Sequence, residues 1–339
     1  MSSLPANSQP KIWTWLPGVV VSLLAIMLLA KLATWEDLRQ AAAQVALKPV
    51  LLAGGALLLS VFFRALAWWT LLQKRAGFGR VFMTLNEGYL LNNLFPLRLG
   101  EVGRVFLLGA QEGLSPTFVL PTIVLERAFD LALAAGLLLA TLPLVIGADW
   151  AAPVAGLVLA VVVSGLLVIY ALSRTQSAWQ PRLAGWLEKR KGLRAAVLPR
   201  VNSLLDGFKA VTNPGQFFGS FGLMLLSWAG AVLQYYFLMI SLFPQAQGWW
   251  AAFVLGTAGL GVAIPSAPGS LGVFEAAIVG ALSLLGVNEP GTALVYAITL
   301  HVIYYVSSSG LGLIGLASEG QSLFKLYQQV TSFRLFRTE

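Results

Sequence analysis

The sequence predicts an all-α, polytopic integral membrane protein with about six spanning helices plus two re-entrant helical hairpins in an inverted repeat. Three observations lead to this prediction. Apolar residues make up 58% of the chain and charged residues only 11%, whereas a soluble domain carries roughly a quarter charged residues. The apolar residues form long runs, two of which contain proline and glycine in the middle. Lysine and arginine are concentrated in a few of the connecting loops.

Six apolar runs have the length of a membrane-spanning helix, which needs about 20 residues. These runs are 17–33, 49–72, 117–142, 153–173, 216–243 and 292–318. Two further apolar runs, 81–113 and 251–286, are interrupted by residues 92–101 and 265–272. Proline removes a backbone donor and glycine relaxes a helix, so each is expected to form two half-helices joined by irregular backbone. The alternative is a kink in an ordinary helix.

The distribution of basic residues favours hairpins over kinks, because cytoplasmic loops of membrane proteins are enriched in lysine and arginine. The basic segments are 73–80, 174–214 and the C-terminal end with Lys325, Arg334 and Arg337, whereas 143–152, 244–250 and 287–291 have no basic residue and 34–48 has mixed charge. All three basic segments lie on the cytoplasmic side, and the three segments without basic residues on the other, if 81–113 returns to the cytoplasmic side and 251–286 returns to the opposite side. We therefore expect a multi-pass protein of the cell inner (plasma) membrane with both termini cytoplasmic.

A single transmembrane domain over residues 1–339 is expected, with inverted-repeat halves at about 49–142 and 216–318. Each half contains a helix, a hairpin and a second helix. Broken helices at matching positions of inverted halves are typical of transporters with a site at the interface of the halves. Between them, 174–214 is predicted to be a basic cytoplasmic loop with an interfacial helix, because apolar residues recur at helical spacing. Those residues are Val197, Val201, Leu204, Leu205, Phe208 and Val211.

Composition also excludes several classes of function. The net charge of +8 does not indicate nucleic-acid binding, because seven of the 22 Lys and Arg residues lie between positions 174 and 200, as in a loop facing anionic headgroups. The chain has no cysteine and one histidine, which excludes thiol chemistry and a His-rich metal site. No nucleophile elbow, phosphate-binding lysine loop or Ser/His/Asp set is present. We expect no cofactor, no metal and no enzymatic activity.

Ionisable residues within membrane segments are costly and are therefore candidates for function. The candidate substrate-binding residues lie around the two breaks and in the helix that follows the first break. They are Asn92, Asn93, Arg98, Gly100, Glu101, Arg104, Glu126, Arg127, Asp130, Gly269, Gly272 and Glu275. Glu87 belongs to the same dense set of charges, and His301 is expected to be a packed, hydrogen-bonded histidine. Arg64 has less weight, because near the cytoplasmic end of its helix it can extend to the membrane surface.

Arg98 and Arg104 in a glycine-rich break are suited to binding a phosphate. A guanidinium group binds two phosphate oxygens at once, and free N–H groups at the start of a half-helix add positive charge. Nearby carboxylates would hold the arginines when the site is empty, or would carry protons. Glu126 and Asp130 are four residues apart and so share one helix face. Alternatively, these groups form a buried ion-pair network that only attaches the hairpin to helix 117–142.

At the breaks the chain resembles the transmembrane region of lysylphosphatidylglycerol synthase, a family that also includes stand-alone, flippase-like membrane proteins. The resemblance lies in 92–101, in Glu126-Arg127 with Asp130, and in 268–272 with Glu275, and it extends over roughly 15–320. It implies movement of a lipid between leaflets. The positions that match are Arg98, Gly100, Glu101, Glu126, Arg127, Asp130, Pro268, Gly269 and Glu275. The chain ends at Glu339 without an aminoacyl-transfer domain, so we expect neither synthase activity nor lysylphosphatidylglycerol as cargo.

The sequence thus predicts a lipid translocase for an anionic phospholipid or a polyprenyl phosphate. The phosphate would rest on Arg98 and Arg127 between the hairpins while the two halves rock, with energy from an ion or lipid gradient. A coupling proton would bind to Glu101, Asp130 or Glu275. Two alternatives remain open. One is a membrane enzyme acting on lipid-linked phosphate with Glu101 or Asp130 as acid or base, and the other is a scaffold recruiting a cytoplasmic partner through 174–200. The oligomeric state does not follow from the sequence.

Overall fold

The computed structural model describes residues 16–95, 99–145, 151–188, 193–264 and 266–320. Within these ranges the chain is helical and contains no strand. Its α-helices are α1 Leu16–Leu32, α2 Trp35–Ala43, α3 Leu47–Leu71, α4 Phe78–Leu94, α5 Leu99–Glu112, α6 Pro116–Thr141, α7 Ala151–Arg174, α8 Gln176–Glu188, α9 Leu193–Gly207, α10 Lys209–Thr212, α11 Pro214–Leu242, α12 Gly248–Gly261, α13 Val273–Leu284 and α14 Pro290–Ser318. Short 3-10 turns occupy Leu142–Leu144 and Pro268–Ser270.

By length and composition, four of the described helices are able to cross a membrane, namely α3, α7, α11 and α14. Helices α1 and α2 are bent by 81° at the short break between them and together form a fifth candidate span. Helix α6 has 26 residues, the length of a span, but it contains three ionisable residues near its middle. The protein is therefore a multi-pass α-helical membrane protein, and the count of six spans stays a prediction.

Local sequence signals set where several helices begin. The Ser115 hydroxyl accepts a hydrogen bond from the Phe118 N–H at the start of α6, and the Asn213 side chain does the same for α11. Proline is the first residue of α6, α11 and α14, a position where its missing N–H has no cost. Helix α2 lies in the mixed-charge loop 34–48, where Thr34 and Asp37 form a capping box.

The first broken run folds into a hairpin. Helices α4 and α5 pack antiparallel, since Gly88 lies against Arg104 and Gly77 lies near Glu112. The contact between the two helices is close because Gly88 and Gly100 face each other. A Cβ on Gly100 would overlap the Gly88 carbonyl oxygen. The predicted break is therefore a change of direction, not a kink.

The second broken run has the same form. Helices α12 and α13 pack against each other, and Gly261 lies so close to Ala277 that an added Cβ would be 2.9 Å from the Ala277 Cβ. The connection contains the 3-10 turn Pro268–Ser270, in which Gly269 has φ +65°. Residues 96–98 of the first break and Pro265 of the second lie outside the described residues.

The helix contacts of the two halves correspond in pairs. Helix α4 packs on α14 as α12 packs on α6, and the most extensive contact joins α3 to α11. Within that contact the buried hydroxyls of Ser60 and Ser227 are 3.2 Å apart. Each serine is the fourteenth residue of its helix, counted from Leu47 and from Pro214. The fourteenth residues of α3 and α11 therefore lie against each other.

The basic segment 174–214 is helical where it is described and packs on the rest of the protein. Helix α9 contacts α6, and Gly207 at its end lies against Phe118 and Pro121. Leu205 of α9 is buried. The apolar positions predicted as one interfacial helix are divided between α9 and α10, which meet at Phe208. Membrane-surface anchoring stays a prediction for this segment.

The close contact between α4 and α14 leads to a stability prediction. A Cβ on Gly312 would lie 2.6 Å from the Asn86 carbonyl oxygen and 2.7 Å from the Leu90 Cβ. We therefore expect Gly312→Ala to lower the free energy of unfolding by about 1–3 kcal/mol through overpacking. Gly310→Ala on the same helix is the control, because nothing lies within 4 Å of its added Cβ. Unfolding in mixed micelles measures both, and equal stability of the two variants would contradict the described packing.

Candidate functional site

A dense network of polar contacts surrounds Glu126, in the middle of α6. Its side chain is completely buried and accepts hydrogen bonds from arginines on three helices. Arg64 of α3 donates at 3.1 Å, Arg127 of α6 at 2.6 Å, and Arg104 of α5 makes a short bond to the second oxygen. One carboxylate thus links α3, α5 and α6.

Asp130, one turn further along α6, extends this network to α11. The Arg64 guanidinium binds both Asp130 oxygens, at 2.8 and 2.6 Å, which is the bidentate geometry that makes such pairs strong. The Trp228 indole N–H of α11 donates to Asp130 at 3.0 Å. Arg127 lies 3.0 Å from the other Asp130 oxygen. We call Arg64, Arg104, Glu126, Arg127 and Asp130 the arginine–carboxylate cluster.

Arg104 is held by stacking as well as by charge. Its guanidinium lies 3.8 Å from the centre of the buried Trp68 ring, a cation–π contact that gains strength away from water. The Trp68 indole N–H in turn donates to the Thr122 hydroxyl at 3.0 Å. Gly88 leaves the space that the Arg104 stem occupies, since a Cβ there would lie 2.6 Å from the Arg104 Cγ.

The cluster has more positive than negative charge, with three guanidinium groups and two carboxylates. Its exposure is uneven. The side chain of Arg104 is 2% exposed and that of Arg64 is 14% exposed, whereas that of Arg127 is 34% exposed. The Nε atoms of Arg104 and Arg127 are buried and have no hydrogen-bond partner among the described residues. Arg127 therefore has unused donor capacity and access from outside.

A second polar group lies at the other break. Glu275, at the third position of α13, accepts a hydrogen bond from the Gly272 N–H at 2.7 Å and makes a short hydrogen bond to the His301 Nδ1. The Nε2 of His301 is 3.0 Å from the Gly269 carbonyl oxygen. Glu275 thus joins α13 to α14 and fixes the turn between Gly269 and Gly272. His301 is a packed, hydrogen-bonded histidine, as its sequence context predicted.

The two broken segments meet at α14, a question that the sequence left open. The Tyr305 hydroxyl lies 3.4 Å from the Asn93 carbonyl oxygen and 3.5 Å from the Pro268 carbonyl oxygen. The Asn93 side chain also donates to the Ser308 and Ser309 hydroxyls of α14, both at 3.0 Å. Helix α4 contacts the Pro268–Ser270 turn directly. The end of one hairpin arm is therefore tied to the turn of the other hairpin.

The glycines among the predicted site residues have structural reasons to be glycine. Gly269 and Gly272 have φ values of +65° and +83°, which strain any other residue. A Cβ on Gly269 would overlap the Tyr305 hydroxyl. The Gly100 N–H at the start of α5 donates a 2.8 Å hydrogen bond to the Asn92 side-chain oxygen. These positions shape the breaks.

The structure changes the interpretation of several residues that the sequence pointed to. Arg98 lies outside the described residues. Arg64 was expected to extend to the membrane surface, and this was wrong, because it is bound to Asp130 and Glu126 in the protein interior. Glu101, in the first turn of α5, has one buried oxygen without a partner among the described residues. No group of three or more potential metal-ligating side chains occurs in the described part of the chain.

The fold and the cluster define a multi-pass α-helical membrane protein with two broken helical pairs and buried ionisable groups between them. The family model of the lysylphosphatidylglycerol synthase TM region matches residues 15–312. The protein belongs to this family, as the motifs at its breaks predicted. Membership makes it a membrane protein that acts on lipids. A search of curated proteins found no match.

The central position of Glu126 leads to a prediction about stability. Glu126→Gln leaves Arg104 without a carboxylate, whereas Arg64 and Arg127 keep Asp130. A buried charge without a partner is strongly destabilising, by about 3–5 kcal/mol. We expect a loss of that order in unfolding experiments in mixed micelles. Glu112→Gln, at the end of α5 and outside the cluster, serves as the control. An unchanged stability of the Glu126 variant would mean that the cluster does not hold α3, α5 and α6 together.

The turn at Gly269 leads to a second prediction. Gly269→Ala and Gly286→Ala both place alanine at a positive φ, a strain of about 1–2 kcal/mol. Only the Cβ on Gly269 meets a neighbour, the Tyr305 side chain, whereas Gly286 has open space. We expect Gly269→Ala to lower the unfolding temperature more than Gly286→Ala does. The reverse order would show that Tyr305 does not close on this turn.

Proposed function

We propose that the protein is a lipid translocase that moves an anionic phospholipid or a polyprenyl phosphate between leaflets. The membrane fold and the family membership support action on lipids. The finer assignment depends on the arginine–carboxylate cluster, where three arginines face two carboxylates. A phosphate brings the negative charge that this balance lacks, and guanidinium groups bind phosphate oxygens in pairs. We propose a carrier and not an enzyme.

The single observation that carries the proposal is the position of Arg127. It binds Glu126 and Asp130 through one nitrogen, Nη2, while its side chain is one-third exposed. In this state the carboxylates hold the guanidinium in place, and an arriving phosphate is able to bind it without displacing a whole buried network. Arg98, which lies outside the described residues, remains the first phosphate ligand predicted from the sequence.

Alternating access is supported by the paired contacts of the two halves. Counted from the proline that begins each helix, Arg127 of α6 corresponds to His301 of α14. Counted from the first residue of each half-helix, Glu101 of α5 corresponds to Glu275 of α13. Inverted halves with matching packing are able to exchange conformations and so open a central site to each side in turn. We propose two re-entrant hairpins, six spans and cytoplasmic termini for this arrangement.

The enzyme alternative has less support from the geometry. A general acid or base must gain and lose a proton, and Asp130 receives bonds from Arg64, Arg127 and Trp228 that favour its ionised form. Glu101 is the remaining carboxylate for that chemistry. The scaffold alternative depends on the basic segment, where Arg182 of α8 is exposed.

A leaflet-exchange assay in proteoliposomes tests the proposal. Labelled phosphatidylglycerol, phosphatidylethanolamine and undecaprenyl phosphate are compared for the unmodified protein, Arg127→Gln and Arg98→Gln. A charge-assisted hydrogen bond contributes about 1.5–3 kcal/mol, so we expect each variant to slow exchange of the anionic cargo by about tenfold or more. Arg182→Gln removes the same charge outside the cluster and should leave the rate unchanged.

Each result has a distinct meaning. Exchange of one anionic lipid that the Arg127 variant loses supports the translocase and identifies the class of its cargo. Normal exchange in both the Arg98 and Arg127 variants, each folded, rules out the phosphate-binding role. If no lipid is exchanged in proteoliposomes, but Arg182→Gln fails to replace the unmodified protein in cells that lack it, the result favours the scaffold.

A further inference from the structure

We propose that Glu87, in the middle of α4, is a proton-binding site of this protein, and that its proton is taken up and released as the site opens to water. Glu87 belongs to no part of the arginine–carboxylate cluster. The coupling role rests on the proposed lipid transport, whereas proton binding at Glu87 does not. The ligand is a single proton, and no covalent step is involved.

The first observation is the burial of an acid without partners. Glu87 is 0% exposed, and neither of its carboxyl oxygens has a hydrogen-bond donor among the described residues. The adjacent Thr84 hydroxyl, one turn earlier on the same face, is buried and unpartnered as well. Burying an ionised carboxylate in such a place is far more costly than burying a neutral acid. In this conformation Glu87 therefore holds a proton.

The second observation is that α14 is shaped to receive this side chain. A Cβ on Gly315 would lie 2.5 Å from a Glu87 carboxyl oxygen. The glycine thus leaves space for the acid but supplies no donor group from a side chain. An interior acid with a fitted space and no partner is poorly explained by a purely stabilising role, because a leucine would fill the space without the desolvation cost.

The ionisable groups on α4 and on the helices packed against it have other partners or other positions. Arg64 of α3 and Arg104 of α5 belong to the cluster, Glu101 and Glu112 lie at the two ends of α5, and His301 binds Glu275. Tyr89 and Tyr304 contact each other, and Tyr305 lies at the breaks. On α4 itself, Arg80 forms an ion pair with Glu319. Arg80 attracts Glu87 electrostatically, but no cation of these elements forms an ion pair with Glu87.

The ion pair of Arg80 with Glu319 lies near the start of α4, seven residues before Glu87. Arg80 is on the same face of α4 as Glu87. Glu319 directly follows α14 and is four residues after Gly315. Glu319 also accepts a hydrogen bond from the Gln111 side chain of α5. These three residues close α4, α5 and α14 together at one end. Separation of this contact would let water reach Glu87 and allow its proton to leave.

The experiment combines a spectroscopic measurement with transport, using the full chain in liposomes. Infrared spectra detect the carbonyl stretching band of a protonated carboxylic acid at neutral pH. We expect part of this band to be absent in Glu87→Gln and fully present in Glu112→Gln. In the transport arm a pH gradient is applied. One proton per lipid supports a leaflet accumulation of up to about tenfold per pH unit, and we expect Glu87→Gln to lose this accumulation.

The outcomes separate the two proposals. Identical infrared bands in the unmodified protein and in a folded Glu87→Gln overturn the proton site. If the band is lost but no lipid is exchanged by any variant, the proton site stands and the translocase is overturned. If lipid is exchanged and a gradient causes equal accumulation with and without Glu87, proton coupling at this residue is wrong.

Discussion

The structure depends on one buried anion with three cations. Glu126 alone binds arginines from α3, α5 and α6, and Asp130 adds α11 through Trp228. Isolated charges inside a membrane are too costly to persist, so each of these groups requires the others. The first hairpin, the helix that follows it and a helix of the second half are thereby fixed relative to one another. The same network leaves Arg127 partly exposed, so the element that holds the fold also offers a binding group.

Helix α14 has the corresponding role for the breaks. Tyr305 and Asn93 connect the end of α4 to the second break, and Glu275 with His301 attaches α13. Both irregular segments thus depend on one continuous helix and not only on their own hairpins. A shift of α14 would move the two breaks together, which is what a site shared by two halves requires.

Much of the fold followed from the sequence, since long apolar runs with proline and glycine at defined points allow few arrangements in a membrane. The helices and both breaks appear where composition predicted them, and Glu126 and Asp130 share one face as their spacing required. The sequence did not predict which residues of different helices lie close together. The role of Arg64 was not predicted because its partner Asp130 is 66 residues away in the chain. The lack of a partner for Glu87 was not predictable either, because it depends on which residues of α14 lie next to it.

The glycines on α14 have a mechanical consequence. At Gly312 and Gly315 helix α14 has no side chain of its own, and Asn86, Leu90 and Glu87 of α4 approach its backbone closely. Helices usually interlock through ridges that fit into grooves, and such ridges resist motion along the axis. At these two positions α14 adds no ridge, so resistance to a lengthwise displacement of α4 comes from the side chains of α4 and from Leu316, which lies in one cluster with Leu90 and Leu91. The polar contacts of Asn93 and of Arg80 then limit such a displacement at its two ends.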